Sequence, residues 1–189
     1  MPDLIAGEGL VLRAAAPGDR ERWLELFSDP MELRFGLPAF VPVPRTLEEL
    51  DERVASSAQA LAACEPGSLV VAAEDDPTHF LGSLGWRRDA PPLQIADVGY
   101  GVHPDSRGQG VAGRSLRTLT RWLTTDADGP GLPRVQLDHS VDNTASCRTA
   151  LSAGFEREGI RRHYLPLRDD TAPDGVRRHD VCMHGYVAG

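Results

Sequence analysis

One segment limits the possible folds of this chain more than any other. Val98-Gly99-Tyr100-Gly101-Val102-His103-Pro104-Asp105-Ser106-Arg107-Gly108-Gln109-Gly110-Val111-Ala112 reads as a strand with two glycines, then a small-residue turn, then the start of a helix. Such a turn leaves the first N–H groups of the helix unpaired and pointing at one spot, where the macrodipole also favours negative charge. Gly108 and Gly110 let the main chain close on phosphate oxygens with no Cβ in the way, and Arg107 can add a charge-assisted bond. The spacing fits a diphosphate, and it also fits a tight turn with no ligand. Alternation places Asp97, Gly99 and Gly101 on one face of the strand and Val98, Tyr100 and Val102 on the other, so one face is adapted for close approach.

Gly108, Gly110 and Gly113 also satisfy G-x-G-x-x-G, with Asp138 on a following strand where a ribose-binding acid would be sought. A dinucleotide fold places its first glycine directly after an apolar strand, whereas His103 to Arg107 intervene here. The chain beyond is also too short for the remaining strands of a doubly wound sheet.

The 20 basic side chains are all arginine, against 28 acids and a formal charge of −8. Without lysine, a Walker-type phosphate loop, a Schiff base and a lysine general base are all excluded. The acidic balance argues against nucleic acid held by counterion release and suits a cationic or amine substrate. The three cysteines and an opening Met1-Pro2-Asp3-Leu4 without basic or apolar leader regions give the expectation of a reducing, cytoplasmic protein without a membrane segment.

Strands are expected at 10–14, 68–74, 80–87, 94–102, 134–139, 155–164 and 178–187. Helices are expected after Pro17 with Trp23, Leu26 and Phe27 inward, behind a Thr46/Glu49 capping box with Leu47, Leu50, Val54 and Leu61 inward, and at 108–124 and 143–153. Hairpins mixed with helical crossovers make this α+β, a single domain over 1–189.

At the glycine turn the sequence resembles the GNAT acetyltransferase superfamily, whose signature of Arg or Gln, two residues, Gly, one residue, Gly or Ala is matched by Arg107, Gly110 and Ala112. The likeness continues in Val141-Asp142-Asn143-Thr144-Ala145-Ser146 and Gly154-Phe155-Glu156-Arg157-Glu158-Gly159, in the manner of the ribosomal-protein N-terminal acetyltransferase (RimJ/RimL-like) branch. The resemblance implies one mixed sheet of about seven strands and about four helices, splayed between the fourth and fifth strands, with acetyl-CoA in the opening. Its pantetheine would pair with main chain at Gly101, Val102 and His103, and its pyrophosphate would lie on Arg107, Gly108, Gln109, Gly110, Val111 and Ala112. Asn143 would orient the cofactor, and Ser146 would protonate the leaving thiolate, since the tyrosine that many members place seven residues after the asparagine is Ala150 here. Asp97 would either take the amine's proton through water or bind a cationic substrate. The acceptor wall, including Phe35 and Tyr164, would come from 31–44 and from the hairpin around 169–175. Arg114, Arg148 or one of the arginine pairs at 87, 161 and 177 would meet the CoA 3′-phosphate.

These implications amount to an acetyl-CoA-dependent N-acetyltransferase, monomeric or homodimeric, acting on an α-amine of a peptide or protein. A polyamine or amino-sugar acceptor, another acyl donor, and a silent CoA-binding module are the alternatives. His103 reads as a turn residue. No metal is expected: His179, Cys182 and His184 suggest a cluster, but on a strand 182 and 184 share a face while 179 points away; Cys147 and Cys64 read as small helix hydrophobes.

Overall fold

The computed structural model describes residues 4–89 and 91–189. Eight strands form one sheet in the order β1-β2-β3-β4-β5-β6-β8-β7: β1 Leu4–Gly7, β2 Leu10–Arg13, β3 Gly67–Ala73, β4 Phe80–Arg88, β5 Ile95–Val102, β6 Arg134–Ser140, β7 Glu156–Arg168 and β8 Val176–Val187. Neighbours run antiparallel except β5 and β6, which are parallel. The strand missing from the sequence reading is β1. It is only four residues long and returns through Glu8 and Gly9, both at positive φ, into β2. A turn with two left-handed residues matches the twist of the strands it joins.

The helices are α1 Arg20–Ser28, α2 Asp51–Ala62, α3 Val111–Thr124 and α4 Thr144–Ser152. Their apolar residues recur at helical spacing and build two cores. Val111, Leu116, Leu119, Trp122 and Leu123 of α3 pack with Leu12, Leu84 and Val98 of the sheet, while Trp23, Leu26 and Phe27 of α1 pack with Val70 and Phe80. The helix expected from Thr46 starts later, because Glu49 Oε2 accepts from the Arg45 N–H at 2.7 Å and a short 3-10 turn, Glu48–Leu50, precedes α2. No helix among the described residues is long and apolar enough to cross a membrane.

The functional consequence of the topology is at the middle of the sheet. β5 and β6 pair only over Ile95–Asp97 and Arg134–Gln136. Beyond these residues β5 continues to Val102 on β4, and β6 continues to Ser140 on β8, so the sheet opens as a V between them.

Candidate active site

A cleft of about 1020 Å³ lies at this opening, reached by Asp97, Gly99 and Gly101 from β5 and by Gln136 and Asp138 from β6. His103 N–H donates to Leu81 C=O at 2.9 Å, which fixes the β4 ladder so that the main chain of Gly99, Gly101 and His103 faces β4. Tyr100 and Val102 therefore turn their backbone groups to the opening. Val102 C=O already accepts from Arg107 Nε at 3.1 Å. A ligand adding itself as a strand would meet the groups of Tyr100 and the N–H of Val102.

The turn that follows has the geometry of an anion cradle. Gly108 and Gly110 have φ of 75° and 73°, a conformation favourable to glycine, and a Cβ on either would project into open space. The first bond of α3 is Arg114 N–H to Gly110 C=O at 3.1 Å. Among the described residues, none of the backbone N–H groups from Gly108 to Gly113, including Gln109, Val111 and Ala112, has an acceptor within the protein. Arg107 does not join them in this arrangement: its Nη2 donates to Asp29 Oδ1 at 2.5 Å. Arg114 donates to the carbonyls of Glu8 and Gln109, and Arg148 donates to Thr144 Oγ1, at 3.4 Å.

On the α4 side, Asn143 caps the helix, its Oδ1 accepting from Ser146 N–H at 3.1 Å. Ser146 is buried, and its Oγ lies 2.8 Å from the hydroxyl of Tyr100. Burial pushes the Tyr100 phenol above its ordinary value of 10.0, so it remains protonated at neutral pH. The chain thus supplies a tyrosine hydroxyl beside Ser146 although Ala150 is fully buried in the core. Alternation along β5 already pointed Tyr100 to this face; its meeting with a helix 46 residues later was not legible.

On the opposite face stands a carboxylate that sequence reasoning missed. Asp29 Oδ1 accepts from the N–H groups of Met31 and Glu32, at 3.0 and 3.1 Å, and starts a single wide turn from Glu32 to Gly36. The Glu32 carboxylate folds over Gly36 and against Gly101, where a Cβ would lie 3.0 Å from Oε2. Both glycines are needed for this close approach. Burial raises Glu32 to about 7, with Arg107 pulling the other way and Asp29 adding to the rise. Glu32 and the Tyr100–Ser146 pair therefore flank β5 at the same level, one on each side.

Asp97 lies four residues down the strand, about 13 Å from Gly101 at the usual rise. It faces Asp138, whose carboxyl is raised by burial and by the charge of Asp97. Phe35 and Tyr164 line the cleft under cations, with Arg34 4.8 Å above the Phe35 ring and Arg161 5.0 Å above Tyr164. The wall from Phe35 to Val41 is held by Arg168, which donates to the carbonyls of Leu37, Pro38, Ala39 and Val41. The tip of the 169–175 hairpin does not reach the cleft, which is lined instead by Tyr164, Leu165, Pro166 and Arg178 of the strands leading to it. His103 is buried between carboxylates, Nε2 2.9 Å from Glu25 and Nδ1 2.7 Å from Asp105. Its imidazole braces the turn.

A family profile for the acetyltransferase (GNAT) domain matches residues 9–156, well over half of the chain. The chain belongs to the GNAT acetyltransferase family. Within that family it is 28% identical over 90 residues to the uncharacterized N-acetyltransferase YoaA of Bacillus subtilis, a match covering 48% of this chain and 49% of that protein. It is equally 28% identical over 91 residues to the ribosomal-protein-serine acetyltransferase of Escherichia coli, with the same coverage. The match thus spans about half the length of these curated relatives. The GNAT domain superposes on RimL, the ribosomal L7/L12 alpha-N-protein acetyltransferase in complex with coenzyme A, with a TM-score of 0.74 and 22% identity over 97% of both chains. It superposes on the ribosomal-protein-S5-alanine acetyltransferase of Vibrio fischeri with a TM-score of 0.77 and 16% identity, over 97% of this chain and 96% of that one. The GNAT sheet expected from the sequence is present, with eight strands in place of seven and its opening where the fourth and fifth expected strands part.

Proposed function

We propose that this protein transfers the acetyl group of acetyl-CoA to the α-amine of a peptide or protein by direct attack. The observation that carries this reading is the Glu32 carboxylate, raised to about 7 and set against Gly101 across β5 from the Tyr100–Ser146 hydroxyls. Diphosphate is held by the N–H groups from Gly108 to Gly113 at the start of α3. The amine enters the cleft as an ammonium drawn by Asp97 and Asp138, loses its proton to Glu32, and attacks the thioester carbon. Collapse of the tetrahedral intermediate breaks the C–S bond; the thiolate takes a proton from Ser146 as Ser146 takes one from Tyr100, and the second proton given up by the attacking nitrogen as the amide forms returns to Tyr100 through solvent. No metal takes part.

A base near 7 is matched to an α-amine near about 7.7 and poorly to a lysine amine near about 10.4, of which about 0.1% is neutral at pH 7.4. The E. coli relative and RimL are named for ribosomal-protein and α-N-protein acetylation, which supports the same choice.

Mass spectrometry of peptides that carry both a free N-terminus and a lysine should find the label on the N-terminus. Modification confined to lysine, or to polyamines and amino sugars in parallel assays, would overturn the choice of acceptor. Cofactor placement is tested separately. Acetyl-CoA at about a hundred times its Kd should stabilise the fold by about 2.7 kcal/mol in thermal melting, and Gly110→Glu should abolish the shift. That variant places a side chain where the diphosphate would lie, adds like charge and strains a positive φ. An unchanged ligand-induced shift would remove the diphosphate from this turn.

A further inference from the structure

A second cluster of reactive side chains, not used in the transfer steps, lies where α4 meets β6 and β8, and two of its members, His139 and His184, also border the cleft. In the β6–β8 register His139 stands opposite Cys182, and His184 lies one alternation further along the same face. Cys147 reaches the same point from α4. The Nε2 atoms of His139 and His184 are 3.1 Å apart, and Cys182 Sγ is 3.3 Å from His184 Nε2. One ligand atom from each of the four residues lies within 4.8 Å of all the others. His139, Cys182 and His184 are buried, at 5%, 2% and 0% exposure.

This arrangement is poorly explained by hydrogen bonding alone. His139 Nδ1 lies 2.8 Å from the carbonyl of Ser140, an acceptor, so Nδ1 carries the proton and Nε2 presents a lone pair inward. His184 Nε2 faces that lone pair and a sulfur together, and one N–H cannot serve both well. Among the described residues His184 Nδ1 has no partner. Ring nitrogens and sulfurs from four residues converge on one small volume.

We propose that His139, Cys147, Cys182 and His184 bind one tetrahedral zinc ion. With Zn–N near 2.0–2.1 Å and Zn–S near 2.3 Å, tetrahedral ligand atoms lie about 3.3 to 3.8 Å apart; two pairs here stand at 3.1 and 3.3 Å, and the four atoms, all within 4.8 Å of one another, draw together on binding. Two thiolates and two imidazoles suit zinc over hard cations such as Mg²⁺ and Ca²⁺. The Ser140 carbonyl provides the outer bond that fixes a ligating histidine. A shallow cavity of about 250 Å³, bordered by His139, Cys147, Arg148, Arg157 and Cys182, gives the ion a way in. On binding, Zn²⁺ displaces one proton from each thiol, and the resulting Zn(Cys)2(His)2 unit is neutral, as burial requires. His184 then carries its proton on Nδ1. The ion ties α4, with Asn143 and Ser146 at its start, to β6 and β8, and so braces one wall of the V.

The test uses the full chain after chelator treatment. Titration with zinc against a chromophoric chelator should give one equivalent bound, with tighter binding as pH rises because two thiol protons are released. Cobalt(II) should give the intense absorption of tetrahedral thiolate coordination. Zinc should protect two of the three cysteines from a thiol reagent and leave Cys64 reactive. The Cys147→Ser/Cys182→Ser double variant should lose stoichiometric binding, and His139→Gln should weaken it at least tenfold. Absence of stoichiometric zinc binding by the wild-type chain, an octahedral cobalt spectrum, or equal binding by a folded double variant would each overturn the proposal. The cobalt spectrum and thiol protection of the wild type decide the question even if the variants fail to fold.

Discussion

Glu32→Gln is expected to lower kcat/KM for the acceptor amine by about a hundredfold to a thousandfold at neutral pH, while making the protein more stable. The loss follows from removing the carboxylate that is set against β5 at the level of Tyr100 and Ser146 and is raised by burial to about 7. The gain follows from the same burial. A carboxyl with its ordinary value of 4.5 when unfolded and about 7 when folded imposes no penalty below pH 4.5, where both states are protonated. The penalty grows as pH rises between these values and is constant above 7, at about 3 kcal/mol. Gln avoids the charge, so the melting temperature of the variant should exceed wild type by several degrees at pH 8 and by nothing near pH 4.5. In the kinetic profile, the wild-type limb that falls below pH 7 should disappear, leaving only the limb set by the amine itself. A variant with full kcat/KM across this range would return the proton to Asp97 or to water.

Tyr100→Phe and Ser146→Ala are each expected to lower kcat by about tenfold to a hundredfold with little change in the KM for acetyl-CoA. The bond they supply strengthens only as sulfur gains charge in the transition state. The demand on them is modest, since a thiol near about 8.5 leaves readily. Because the two hydroxyls lie 2.8 Å apart and act in series, the double variant should be little worse than either single one. Losses that multiply would mean separate roles. Full turnover in Ser146→Ala would assign the proton to Tyr100 directly.

The parts of the fold visible in the sequence were those with local periodicity. Trp23, Leu26 and Phe27 repeat at helical spacing and are buried together, and the two-face alternation of β5 placed Tyr100 and Asp97 on opposite sides. β1 has too few residues for such a pattern. Glu32 escaped for a different reason: it sits in a wide turn without periodicity, and its surroundings come from Asp29 nearby but also from Gly101 and Arg107 far along the chain. Strand alternation separates His179, whose Nδ1 lies 2.9 Å from Ser140 Oγ, from Cys182 and His184, and on that ground no metal was expected of the three. What completes the group is His139 through strand register and Cys147 through helix packing, and neither relation has a signature in one dimension.

The Arg168 clamp has a consequence for how the molecule comes into being. Its bonds to Leu37, Pro38, Ala39 and Val41 join residues 127 to 131 positions apart, and Ala39 N–H also donates to Pro166 C=O at 2.8 Å. Contacts across so long a loop form late, after local hairpins and helices have restricted the chain. A nascent polypeptide that has emerged as far as α3 already carries the whole cradle from Gly108 to Gly113 and the packing of Leu37 on Trp23 and Phe80, but not the bonds from Arg168 and Pro166 that fix the wall of the cleft. Those bonds must wait for β7, and β7 for β8, which lies between it and β6. Ligand-binding capability is therefore acquired in stages during synthesis, cofactor side first, and the acceptor pocket closes only once the last strand has docked.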